Sequence, residues 1–310
     1  MKLKGMIAMV SVLKEPEYLG IIIGLFFGIT ARIMMLRTDY RQYPTYPHGK
    51  IIHLSLGVIA AGLGALVVPA LLSKEYTAVT FLALAAQQFR DVRKMERETL
   101  TKIDDLELVS RGTAYIEGIA MVFEGRNYLV IFSSLIASLF TVVFAWYWGV
   151  LAGLLSLIVA QVFQSGKSIE HIADVQFADV RIDGPNLSVD SVYMMNVGLK
   201  EDMKIIREQS IGLLLTPKND NSKVTLSSLG QRQALLHNLS TILGVYRDSG
   251  EPTLMPMAKL DLDSGKLALF ILPREKDPDK ILKAVKGAPI LENSVRLPTK
   301  ASSGNKGGTS

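Results

Sequence analysis

The sequence predicts a polytopic α-helical membrane domain, with about five spans plus a re-entrant helix, followed by a small α+β soluble domain. Three observations carry this. Hydrophobic residues make up 49% of the 310 and the mean hydropathy is +0.28, too apolar for an ordinary soluble chain of this length. The apolar residues crowd into residues 18–163. Beyond them the composition shifts to short apolar runs separated by turn residues, as in a water-soluble domain. The expected organisation is an N-terminal lead-in over 1–17, a membrane domain over 18–166, a cytoplasmic α+β domain over 167–297 and a disordered tail over 298–310, rich in Ser, Gly and Lys.

Met1 to Leu13 is basic and mildly apolar, but Lys14-Glu15-Pro16-Glu17 follows where a cleavable signal would carry small residues, so the lead-in reads as interfacial. A span needs ~20 largely apolar residues, with ~17 as the lower limit. Tyr18 to Leu36 fits if Arg32 snorkels to a nearby interface. Ile51 to Leu72 fits well, with His53 at one end. Tyr76 to Phe89 is short and carries Gln87 and Gln88, which makes it the weakest of the spans. The apolar run from Tyr128 to Phe163 is too long for one helix. Its Trp146-Tyr147-Trp148-Gly149 cluster combines interfacial aromatics with a turn-permitting glycine, so the run splits there into a hairpin of two spans.

Lys and Arg set the orientation. With the N-terminus outside, the inner loops hold Arg37, Arg41, Lys50 and then Arg90, Arg93, Lys94, Arg97, Lys102, Arg111 and Arg126. The outer loop holds Lys74, beside Lys2, Lys4 and Lys14 of the lead-in. This places the soluble domain in the cytoplasm of a cell (inner) membrane. The net charge of +5 then points to anionic lipid headgroups rather than nucleic acid, for which no binding signature is present. With no cysteine, disulfides, thiolate catalysis and Cys-type zinc sites are excluded. The chain has four histidines and neither a His-Glu-x-x-His motif nor a Walker loop nor a Gly-x-Ser-x-Gly elbow, so no metal and no cofactor is expected.

The inner loops carry the unusual polarity. In the first, Asp39 lies between Arg37 and Arg41, which would hold it in its charged form. The second begins with Arg90-Asp91-Val92-Arg93-Lys94, good helix material with charges at helical spacing, and reaches Arg111-Gly112. Then comes Tyr115-Ile116-Glu117-Gly118-Ile119-Ala120, a carboxylate set in the apolar stretch Ala114 to Phe123. That stretch is too short to span and reads as a re-entrant or buried helix, with Glu124-Gly125-Arg126 marking its return to the interface. Glu117 has three readings. It pairs structurally with a buried arginine, Arg37, Arg41, Arg90 and Arg111 being the charge-pairing candidates. It serves as an ion or proton ligand. Or it shares a proton with Asp39 or Asp91 and activates water, as facing carboxylates do.

In the soluble domain, Val175 to Ile182, Ile211 to Thr216, Met255 to Leu262 and Lys266 to Leu272 are strand candidates, and Asp263-Ser264-Gly265 signals a hairpin between the last two. Ser227 to Leu243 and Asp277 to Val285 are helix candidates. An antiparallel sheet with helices on one face follows, in a ferredoxin-like arrangement.

The intact hexapeptide at 115–120, flanked by Ser110-Arg111-Gly112-Thr113-Ala114 and Met121-Val122-Phe123-Glu124-Gly125-Arg126-Asn127, resembles the signature of the YIEGIA family. The resemblance covers most of the membrane half. It implies a polytopic membrane protein of endospore-forming Gram-positive bacteria that acts during sporulation, in the forespore or mother-cell membrane. It supplies no catalytic assignment. Three functions are consistent with the sequence: a regulatory or scaffolding protein whose cytoplasmic domain binds a protein partner, a membrane-embedded aspartic-type peptidase using Glu117 with Asp39 or Asp91 on a peptide substrate, and a small transporter or channel.

Overall fold

A computed structural model describes residues 15–39, 49–107, 109–162, 166–245 and 256–295. The chain divides into two compact units, Met1–Leu100 with Ile119–Gln164, and Thr101–Gly118 with Ser165–Ser310.

Among the described residues, the helices of the N-terminal half are α1 (Pro16–Asp39), α2 (Gly49–Leu72), α3 (Tyr76–Phe89), α4 (Val92–Asp104), α5 (Thr113–Val143) and α6 (Trp146–Val162). Three of them, α1, α2 and α5, are long and apolar enough to cross a membrane. The apolar α6 has 17 residues and α3 has 14. At ~1.5 Å per residue, α3 rises only ~21 Å against a hydrocarbon core of ~30 Å. By length and composition, three of the five expected spans qualify.

Small residues set the packing of the first unit, as they do where membrane helices approach closely. A Cβ at Gly24 or Gly28 of α1 would strike the backbone or side chain of Ser134, or Ala61, and one at Gly64 of α2 would lie 2.3 Å from the Ile131 carbonyl oxygen. Across these contacts the Ser134 hydroxyl donates to the Ala61 carbonyl at 2.6 Å, and the Ser138 hydroxyl to the Ala65 carbonyl at 2.9 Å. The long apolar run does break before Trp146: α5 ends at Val143, and Gly149 of α6 packs against Thr141 and Ala137, closing a hairpin.

The signature segment is not a separate re-entrant helix. It forms the opening turns of the continuous 31-residue α5. The expected break at Glu124-Gly125-Arg126 fails for two physical reasons. A single interior glycine costs a helix only ~1 kcal/mol relative to alanine. Both charges also have partners within the unit, Glu124 at 3.8 Å from Arg93 and Arg126 on Asp39, so neither must reach an interface.

Among its described residues the second unit contains two antiparallel sheets. A four-stranded sheet has the order β1-β5-β7-β6, from β1 (Ala173–Ala178), β5 (Ile211–Pro217), β6 (Met257–Leu260) and β7 (Leu267–Ile271). A small sheet of β2 (Val180–Asp183), β3 (Asn186–Val189) and β4 (Val192–Asn196) has the order β2-β3-β4. The helices are α7 (Lys200–Gln209), α8 (Asp220–Ser227), α9 (Leu229–Leu243), α10 (Pro278–Lys286) and the single turn α11 (Glu292–Val295). β7 is buried along its whole length, so the four-stranded sheet is covered on both faces. Leu213, Leu215, Leu267 and Leu269 pack with α9 and α10 on one side, while Leu214, Ala268 and Phe270 pack with β3, β4 and α7 on the other. The β6–β7 hairpin forms as expected, its turn held by the Asp261 carboxylate, which accepts from the Asp263 and Ser264 amides. Counting the strands of the four-stranded sheet, helices fall between β1 and β5 (α7, after the small sheet), between β5 and β6 (α8 and α9) and after β7 (α10 and α11). This is not the β-α-β-β-α-β order of a ferredoxin-like unit. The expected helix Ser227 to Leu243 forms as α9, starting two residues later, and the separate helix α8 precedes it, with Ser228 in extended backbone between them.

Candidate functional site

Within the first unit the sequence folds five ionisable side chains into an interior that otherwise holds apolar residues, a few hydroxyls and Asn127. Arg32 lies on α1 two turns before Asp39 and is 0% exposed. Its guanidinium donates to the Asp39 carboxylate at 3.1 Å and to the His53 carbonyl at 3.3 Å. It also lies over the Phe123 ring, 4.9 Å from the centroid. Gly57 of α2 makes the room, since a Cβ there would stand 2.4 Å from the Arg32 Cγ. The second oxygen of Asp39 faces the buried Arg126 of α5 at 2.5 Å. Beside this triad, the His53 ring packs on Phe123 at 4.7 Å and its Nε2 lies 3.4 Å from the buried Glu96 of α4. One carboxylate is thus shared by two guanidiniums, and a histidine and a glutamate face each other. Buried ions need such partners, because removing them from water costs several kcal/mol each.

Asp39 is buried, and among the described residues its carboxylate meets Arg32 and Arg126, while Arg37 is exposed; Arg41 lies outside the described residues. Arg32 does not snorkel. Asp91 and Arg90 are exposed in the α3–α4 turn. Asp39 and Asp91 belong to the first unit and the half-buried Glu117 to the second.

The second unit gathers the segment before and into the signature. Asp104, the last residue of α4, organises the return of the chain: its carboxylate accepts from the Arg111 amide at 2.7 Å, the Gly112 amide at 3.3 Å and the Ser110 hydroxyl at 3.0 Å. Arg111, expected to be charge-pairing, is buried and bridges Asp104 and Glu107. Gly112 then turns the chain at φ +87°, a left-handed conformation that favours glycine. Tyr115 donates its amide to the Gln233 side chain on α9 at 3.0 Å, and its ring meets His237 edge-on at 6.1 Å. The backbone of Gly230 comes close to Ala114, and Gly118 packs against Asn293 of α11. Gln233→Ala is expected to leave the half-buried Tyr115 amide without its acceptor and to loosen this segment by about 1–2 kcal/mol. Hydrogen exchange of the Tyr115 amide at pH 7.5 checks it, and an unchanged rate would contradict the role given to Gln233.

Among the described residues no three His, Asp or Glu side chains cluster as a metal site would require. Sequence reasoning missed Arg32, Arg126, His53 and Glu96 as one cluster, and Gln233 and His237 as a dock. The available signal was an arginine and an Arg-Asn pair inside apolar runs, which are rare there without partners.

The family model described as "YIEGIA protein" matches residues 20–301. The chain is 53% identical over 279 residues to "Uncharacterized protein YphB" of Bacillus subtilis (strain 168), covering 90% of this chain and 94% of that protein. No solved structure matches. The opening turns of α5 that dock on α9 and α11 therefore carry a family signature, and the chain belongs to the YIEGIA family.

Proposed function

We propose that this is an integral membrane protein with a regulatory or scaffolding role exerted through its α+β domain. The observation that carries the reading is the use made of the signature: its Tyr115 amide is taken up by Gln233, and Gly118 gives α11 close approach. A family-defining segment spent on gripping a soluble domain fits a protein that relays or anchors. The buried charges of the first unit fit the same role, since the Asp39 carboxylate meets the guanidiniums of Arg32 and Arg126, an ion-pair arrangement that holds helices together. In this reading α3 and α6 complete five crossings, the Lys and Arg of the inner loops favour a cytoplasmic α+β domain, and the likeness to a Bacillus subtilis protein suits a role in endospore formation.

The test is Glu117→Gln in an endospore-forming host whose own copy has been deleted. Abundance in the membrane fraction and spore yield are both expected to match wild type within about twofold, since a positioning glutamine keeps the shape of the side chain. Loss of spore yield at normal abundance would show that the carboxylate itself acts, and would overturn the regulatory reading.

A further inference from the structure

Four side chains of the second unit carry an arrangement that the docking role does not require. His237 lies one turn after Gln233 on α9, so the residue that holds the Tyr115 amide and the histidine that meets the Tyr115 ring share one helix face. The imidazole is half-buried and donates one N–H to the Ser110 carbonyl. Its Nδ1 is buried and has no hydrogen-bond partner among the described residues. The charged groups acting on it from the facing segment are Arg111, Glu107 and Asp104. Both carboxylates are already engaged, Glu107 by the Arg111 guanidinium and Asp104 by the amides of Arg111 and Gly112 and the Ser110 hydroxyl.

A neutral His237 satisfies this site, because one nitrogen donates to Ser110 and the other needs no proton. A second proton would have to sit on Nδ1. It would place a buried N–H without an acceptor and a positive charge in the neighbourhood of the Arg111 guanidinium. Separating the 110–118 segment from α9 relieves both. We infer that the contact between residues 110–118 and α9 is a proton-released latch, closed while His237 is neutral and loosened when it becomes imidazolium.

The electrostatics agree. Burial, and next the Arg111 charge, push the His237 pKa below its ordinary value of 6.5. The sign follows from linkage: the open form binds the proton more tightly, so the latch is fully closed above about pH 6.5 and weakens as pH falls below it. One proton limits the effect to about tenfold in the opening equilibrium per pH unit, until the lowered pKa of the closed form is passed. The inference rests on the reading of the α+β domain as regulatory and names its input, the proton.

The experiment is hydrogen exchange of the full-length protein in detergent at pH 7.5 and 5.5, corrected for intrinsic rates and read on peptides covering 110–118. Wild type is expected to open more at pH 5.5, by up to about tenfold, and His237→Gln, which keeps a donor for Ser110 but cannot titrate, is expected to lose that increase. No increase in wild type, or the same increase in His237→Gln, overturns the latch. Should the variant not accumulate, deuterium uptake at the imidazole Cε1–H of wild-type His237, followed by mass spectrometry, gives its titration directly. A midpoint below 6.5 supports the latch, and one at or above 6.5 overturns it. Failure here is distinguishable from failure of the docking itself, which Gln233→Ala reads at pH 7.5.

Discussion

Asp39→Asn is expected to be the most damaging single change in the first unit. The asparagine is nearly isosteric, so packing is preserved and only the charge is lost. That charge is shared by two buried guanidiniums, Arg32 at 3.1 Å and Arg126 at 2.5 Å. Removing one member of a buried ion network typically costs about 3–5 kcal/mol, because the charge left behind keeps its desolvation penalty. Arg126→Gln should cost less than Asp39→Asn, since Asp39 retains Arg32 and the His53 carbonyl still serves Arg32. Asp39→Glu keeps the charge and should recover part of the loss. Thermal unfolding in detergent and abundance in the membrane fraction measure the series. An Asp39→Asn protein within about 1 kcal/mol of wild type would show that the triad is not what holds α1 to α5.

The same triad marks where the sequence stopped being legible. Apolar length alone locates α1 and α2 within a few residues, and interfacial aromatics with Gly149 locate the α5–α6 turn, because these signals are local. The partners of Asp39 are not local. Its sequence neighbours Arg37 and Arg41 were the natural candidates, yet α1 turns Arg37 outward and Asp39 inward, where Arg126 arrives from a helix far along the chain. The error over the re-entrant helix has the same origin: Arg126 read as an interfacial charge only while its partner was unknown. In the second unit the β6–β7 turn was readable from Asp263-Ser264-Gly265, whereas the β3–β4 hairpin was not. Its strands have 4 and 5 residues, and its turn uses Asp190 at φ 52°, a conformation unusual outside glycine. The docking of the signature was least legible, since Gln233 and His237 are ordinary surface residues of a helix until the 110–118 segment covers them.

Gly64→Val is expected to have the second largest effect, and its neighbours on the sequence provide the control. A Cβ at Gly64 would lie 2.3 Å from the Ile131 carbonyl oxygen and 3.0 Å from the Leu135 amide nitrogen, both backbone atoms of α5 that cannot swing aside. Helices α2 and α5 must therefore separate. Separation lengthens the Ser134–Ala61 and Ser138–Ala65 hydrogen bonds, which sit at 2.6 and 2.9 Å. Overpacking of this kind costs about 1–3 kcal/mol, and each interhelical bond of a membrane bundle adds roughly 0.6 kcal/mol, so a loss of about 2–4 kcal/mol is expected. Gly62→Val adds the same side chain to the same helix at a position with nothing within 4 Å, and should unfold like wild type to within about 1 kcal/mol. Gly118→Ala falls between the two: its Cβ would meet the amide end of Asn293 at 2.9 Å, a flexible side chain that can rotate away. Thermal unfolding of the three variants orders them Gly64, Gly118, Gly62 by damage. Equal loss at Gly62 and Gly64 would mean that valine disturbs α2 through helix propensity alone, and that the small residues of the first unit are not there for close approach.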